Sequence, residues 1–208
     1  MTATAPVPAA DALAARVAAL VAELEPELVA VRRDVHAHPE LARTEVRTTR
    51  VVADRLRAAG LAPRLLDGSG LVCDVGRDGD HGFGSEVPAV ALRADIDALP
   101  LDDACGLPFA STVPGVAHAC GHDVHTAVVL GAGLVLARLH DDGLLPRPVR
   151  LIFQPAEEVM PGARSTSSSR AASTASSGSS PCTPSRRSTS GRSARASARS
   201  RRRRTRSP

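Results

Sequence analysis

The sequence runs to 208 residues with a formal net charge of +4, yet that charge is divided between two unlike stretches. Residues 1–164 carry all 22 acidic residues against 15 basic ones, a net −7, whereas residues 165–208 hold 11 arginines and 16 serines, with no acidic residue and no Val, Ile, Leu, Met or Phe. The second stretch cannot build an apolar core, so the positive balance is no sign that the first stretch binds nucleic acid or acidic lipid, and no apolar run approaches the roughly 20 residues of a membrane span.

The N-terminus lacks a basic segment ahead of an apolar run, and Cys73, Cys105, Cys120 and Cys182 show no paired spacing of a disulfide framework. A cytoplasmic protein without a membrane partner is expected. Asp11 is a candidate N-cap for a helix carrying Leu13, Val17, Leu20 and Leu24, and Pro26 opens a continuation through Leu28, Val31 and Val35, giving two short helices or one kinked one. Thr44 can cap a second helix with Val51, Val52 and Leu56 on its apolar face, ended by Gly60. The period then changes: LVCDVG and AVALRADID read as strands, the second apolar enough at its start to be buried on both faces. His122 to His140 returns to helix, and VRLIFQP reads as a buried strand ending at Pro155. Alternating helices and buried strands predict an α/β domain over residues 1–164 with its active residues at strand ends, followed by a disordered Arg/Ser-rich tail over 165–208.

Three clusters carry chemistry. His118, Cys120, His122, Asp123 and His125 fall within eight residues on a loop entering a helix. A thiolate and an imidazole separated by Gly121 can turn toward one cation, since glycine adopts backbone angles that a Cβ resists. Cysteine suits zinc, and ligand type alone leaves manganese, cobalt and nickel open; the bland alternative is a buried cysteine among helical histidines. Glu157 and Glu158 follow the apolar strand directly, and adjacent carboxylates on an extended loop point apart, so that one can hold a metal while the other faces the water it activates. Asp95 and Asp97 share one face if their strand continues that far. One of them could fix the tautomer of a metal-bound histidine, or both could simply end a strand in solvent.

In combination, His36-Ala-His38-Pro39-Glu40, LRADIDALP, HACGHDVHTAVVLGA and LIFQPAEE resemble the amidohydrolase branch of the M20 metallopeptidase family, with its aminoacylase-like, hippurate hydrolase-like and auxin-conjugate hydrolase-like enzymes, over about residues 28–164. The resemblance implies a zinc-peptidase-like catalytic domain with a central mixed sheet flanked by helices, incomplete in this chain. It implies hydrolysis of an amide bond in a small N-acyl amino acid or related amide at a centre of two divalent ions, with Cys120, His122 and Glu158 as ligands and Glu157 as general base. His118 and His125 either line that site or serve helix packing, and the sequence leaves both roles open. Family members are homodimers and longer, with a lid or dimerisation domain inserted and two later histidine ligands, whereas no histidine follows His140 here. The expectation is therefore a truncated chain with poor metal occupancy, little activity and no dimerisation domain.

The absence of Lys beside 26 basic residues fits GC-rich coding DNA, whose out-of-frame reading yields Ser, Arg, Ala, Pro and Thr. In the frame one base earlier, Cys182-Thr183 decodes as His or Tyr, and the codons for Ser179 to Thr183 can read Ile-Phe-Ala-Leu-His, so the tail is expected to be frameshifted. The alternative is a non-catalytic protein whose Arg/Ser tail binds a polyanion such as RNA; against it, no aromatic residue interleaves the arginines.

Overall fold

The computed structural model describes residues 10–76 and 90–159, and the expected tail over 165–208 lies outside them. The first helix, α1 (Ala10–Ala37), is continuous through Pro26, with Leu20, Val31, Val35 and His36 buried. The second, α2 (Val46–Ala58), buries Thr48, Thr49, Val52, Ala53 and Leu56 and is followed by Gly60 at φ 78°. Its start departs from the expected cap. Thr44 spends its hydroxyl on the carbonyl of Leu41 (2.7 Å), and the helix N–H groups of Arg47 and Thr48 are instead taken by the two carboxylate oxygens of Glu40, at 2.9 and 2.8 Å. A carboxylate satisfies two unpaired N–H groups and the positive end of the helix at once, which a single hydroxyl cannot do.

Four strands form one mixed sheet in the order β1-β2-β4-β3: β1 (Arg64–Leu65), β2 (Leu71–Val75), β3 (Val90–Asp95) and β4 (Val149–Gln154). Strands β1, β2 and β4 pair antiparallel, while β3 and β4 run parallel with Leu92 opposite Leu151 and Asp95 opposite Gln154. The expectation that β3 begins buried on both faces fails: Val90 is 57% exposed, and Ala94 is the first residue to be covered. Among the described residues β3 is an edge strand, and an edge has a neighbour on one side only.

Helix α3 (His122–Asp141) connects β3 to β4, and twelve of its residues are buried, as a helix packed on several sides requires. Val52, Leu56, Leu71, Val75, Leu130, Leu151 and Phe153 form the core between α2, α3 and the sheet, each fully covered side chain worth about 1.5–3 kcal/mol. Across β2 and β4, Arg150 donates twice to the carboxylate of Asp74 (2.6 and 2.7 Å), pinning the register in which those two residues are partners. Parallel β3 and β4 both end on the side where α3 begins, so Asp97, His122 and Glu158 are brought to one edge of the sheet.

Candidate metal centre

Gly121 sits at φ 80°, in the left-handed region that favours glycine, and the reversal there turns Cys120 and His122 toward one point. The Cys120 Sγ, a ring nitrogen of His122 and a carboxylate oxygen of Glu158 all lie within 4.8 Å of one another. His122 is buried. Its Nδ1 donates to the backbone carbonyl of Asp97 (2.8 Å) and lies 3.2 Å from Asp97 Oδ1. A carbonyl can only accept, so the proton is on Nδ1 and the Nε2 lone pair is left for the far side, where Glu158 Oε1 stands 3.8 Å away. The hydrogen bonds to Asp97 raise the pKa of His122 against the opposing effect of its burial.

Asp97 is 1% exposed and also accepts the N–H of Glu158 at Oδ2 (2.9 Å), so one residue orients two of the three converging groups, His122 mainly through its backbone carbonyl and Glu158 through its carboxylate. Its carboxyl lies below the usual range: burial alone would raise it, but the bonds from His122, Glu158 and Glu157 together outweigh that. Asp95 and Asp97 do not share a task. The strand ends at Asp95, whose Oδ1 accepts from Arg93 Nε (3.0 Å), and Asp97 turns inward to the site. The neighbouring Glu158 carboxylate is the main reason that the Cys120 thiol is held above its ordinary pKa; a cation between sulfur and carboxylate would replace the thiol proton.

The loop bearing the glutamates is not extended, for Ala156 takes φ 56°. Its N–H is held by Glu45 Oε1 at 2.8 Å, and Glu45 Oε2 accepts from Ser69 Oγ at 2.6 Å. Glu45 is fully buried. Gly70 lies under the same loop at φ 82°, where a Cβ would stand 2.6 Å from Pro155 Cδ. Neither residue stands out in the sequence, since a single glutamate at a helix start usually reads as solvated surface.

The other histidines separate. His125 is exposed, with its ring 5.5 Å from that of His122, and its ligand atom groups with those of Asp95 and His122. His118 is 5% exposed with neither ring nitrogen hydrogen-bonded, and burial pushes its pKa down to about 4. Soft sulfur, an imidazole with one nitrogen already committed, and a carboxylate form a donor set that suits zinc and its first-row neighbours. The residues present therefore fit a divalent ion.

Comparison with known proteins finds metallopeptidase and deacetylase relatives. Residues 91–177 match the model described as peptidase family M20/M25/M40, a match that runs into the Arg/Ser-rich stretch. The N-acetyl-L-cysteine deacetylase of Bacillus subtilis (strain 168) is 44% identical over 142 residues, 67% of this chain and 32% of that protein. A protein of Rhodococcus jostii (strain RHA1) named putative glutamate–cysteine ligase 2-3 is 52% identical over 139 residues, 66% of this chain but 16% of its own length. Among solved structures, the YXEP protein of Bacillus subtilis, described as a dinuclear metal binding peptidase from the M20 family, matches with a TM-score of 0.61 and 38% identity over 71% of this chain and 40% of that one. The chain spans about a third of the length of most curated relatives it matches.

Proposed function

Because the chain belongs to peptidase family M20, we propose that it forms the N-terminal part of a catalytic domain for metal-dependent hydrolysis of the amide bond of an N-acyl amino acid, with Cys120, His122 and Glu158 as metal ligands, Glu157 as general base, and little activity in the 208-residue chain itself. The observation that carries this reading is the convergence of a thiol, an imidazole nitrogen and a carboxylate within 4.8 Å on a histidine whose other nitrogen is already bound to Asp97. Two divalent ions, of zinc, manganese, cobalt or nickel, would share the full site, as the description of the YXEP protein supports. When bound, such ions supply Lewis-acid chemistry, polarising a carbonyl and acidifying water.

The protein's own residues do the rest. Asp97 fixes the tautomer of His122 and the backbone of Glu158. Glu157 takes the proton of the attacking water as the C–O bond forms, and returns it to the amide nitrogen as the C–N bond breaks, leaving a carboxylic acid and an amine. N-acetyl-L-cysteine is the first substrate to try, because a relative bears that name.

The test is release of free amine from N-acetyl-L-cysteine and a panel of N-acetyl amino acids by protein reconstituted with each metal. Chelator-sensitive hydrolysis that Glu157→Gln abolishes while metal content stays the same supports the reading. Full metal occupancy with no hydrolysis of any acylated amino acid by the product of the restored reading frame would sink it. We also propose that residues 165–208 are an out-of-frame reading, on the strength of their composition alone. Resequencing the codons for Pro155 to Pro208 tests this: an open frame one base away that encodes Leu-His supports it, and a confirmed frame with no related coding beneath it does not. The in-frame product should be assayed beside the 208-residue chain.

A further inference from the structure

A second cluster, sharing no residue with Cys120, His122 and Glu158, gathers where the end of α1 meets the loop between β3 and α3. A ring nitrogen of His36, a carboxylate oxygen of Asp103 and the Cys105 Sγ lie within 4.8 Å of one another. His36 is 7% exposed. Its Nδ1 donates to Asp123 Oδ2 at 2.7 Å; Arg32 forms an ion pair with that oxygen (Nε at 2.8 Å) and its Nη2 lies 3.4 Å from the same Nδ1. The Nε2 faces Asp103 Oδ2 at 3.3 Å and Cys105 Sγ at 3.9 Å. Asp103 is fixed by the N–H groups of Cys105 (2.9 Å) and Ser111 (2.8 Å), which hold it as a carboxylate.

With its proton committed to Asp123, His36 turns a lone pair toward that carboxylate, and two such groups need a positive charge between them. A proton would draw nitrogen and oxygen to about 2.7–2.9 Å, the length of a charge-assisted hydrogen bond, as on the Asp123 side of the same ring. The 3.3 Å found at Nε2 is the nitrogen-to-oxygen spacing around tetrahedral zinc, about 3.3 Å, whereas the 3.9 Å to Cys105 Sγ exceeds the roughly 3.5 Å of nitrogen to sulfur, given bonds of about 2.0–2.3 Å, so the sulfur would draw in as an ion binds. The arrangement is similar to that of His122, whose Nδ1 is held by the backbone carbonyl of Asp97 and whose Nε2 is turned toward sulfur and carboxylate.

We propose that His36, Asp103 and Cys105 form an auxiliary site for a soft divalent cation of the zinc class, with the exposed side of Cys105 leaving the fourth position to solvent. The ion would tie the end of α1 to the loop that leads into His118 and Cys120. That loop is already docked there: Phe109 lies under the guanidinium groups of Arg32 and Arg33 (5.0 and 5.1 Å), and Thr112 donates twice to the carbonyl of Ala37 (2.9 and 2.7 Å). The ligands are thus held close before any metal arrives.

The experiment is anaerobic titration of cobalt(II) into the full chain carrying Cys120→Ser and His122→Ala, which remove the first cluster. One equivalent should bind with a thiolate-to-cobalt charge-transfer band, and adding Cys105→Ser or His36→Gln should abolish the band. In the unsubstituted protein, zinc at tenfold its dissociation constant should slow alkylation of Cys105 about tenfold, read by peptide mapping, which keeps the test open should the substituted chains not fold. A band that survives Cys105→Ser, or alkylation of Cys105 at the same rate with and without zinc, overturns the site.

Discussion

The Nδ1 of His122 donates to the backbone carbonyl of Asp97 rather than principally to its carboxylate, at 2.8 Å against 3.2 Å, and this sets what each substitution at position 97 should do. Because the main bond belongs to the backbone, Asp97→Ala leaves it in place. What is lost is the acceptor for the N–H of Glu158 and part of the field on the imidazole. Substitutions of groups that orient metal ligands weaken binding about 10–100-fold, and Asp97→Ala should fall near the low end of that range in a zinc competition titration. A loss far above 100-fold would mean that the Asp97 carboxylate is itself a ligand.

Glu45 should matter to stability and to the loop of Glu157 and Glu158 together. Its carboxylate is fully buried and accepts from Ser69 and from the backbone of Ala156. Hydrogen bonds to a charged group contribute about 1.5–3 kcal/mol each, so Glu45→Ala should cost several kcal/mol in urea unfolding. Glu45→Gln keeps an acceptor for Ala156 and should recover part of that. If both variants lose less than about 1 kcal/mol, the network is ornamental.

How much of this was legible in the sequence follows from the range of each interaction. The element order and the positive φ at Gly121 rest on local pattern and can be read from periodicity and residue type, whereas the grouping of Cys120, His122 and Glu158 was implied by the resemblance to the M20 motifs. The edge position of β3 could not, because alternation within a strand says nothing about how many neighbours it has. Glu40 as the partner of the α2 N–H groups, Glu45 beneath the loop of Ala156, and His36 beside Asp103 are contacts between residues whose own neighbourhoods look like ordinary polar surface. The split between Asp95 and Asp97 was left open by the sequence, and it was decided by where β3 stops.

The cysteines should separate by reactivity. Burial first, and the neighbouring Asp74 carboxylate second, push the Cys73 thiol up to about 11, so at pH 8 only about a thousandth of it is thiolate. Cys105 and Cys120 are exposed. Iodoacetamide at pH 8 followed by peptide mapping should modify both of these well before Cys73, and zinc should protect Cys120. Early labelling of Cys73 would mean that β2 opens readily, against its place in the core.

His118 gives the protein a stability that depends on pH in a defined direction. Its burial, with neither ring nitrogen hydrogen-bonded, lowers its pKa from 6.5 to about 4. Between those values the unfolded chain binds a proton that the folded one refuses, so this contribution is fully present above pH 6.5 and is lost as the pH falls toward 4. At 1.36 kcal/mol per unit the loss amounts to at most about 3 kcal/mol. Urea unfolding of chelator-treated protein at pH 7 and pH 4.5 should show it, on top of whatever the carboxylates contribute. His118→Leu removes the titrating group and two unpaired polar atoms, so its stability should fall less between the two pH values than that of the parent chain, with little cost at pH 7. An equal fall in both proteins would mean that His118 finds a proton-binding partner in the folded state and that its burial does not govern its charge.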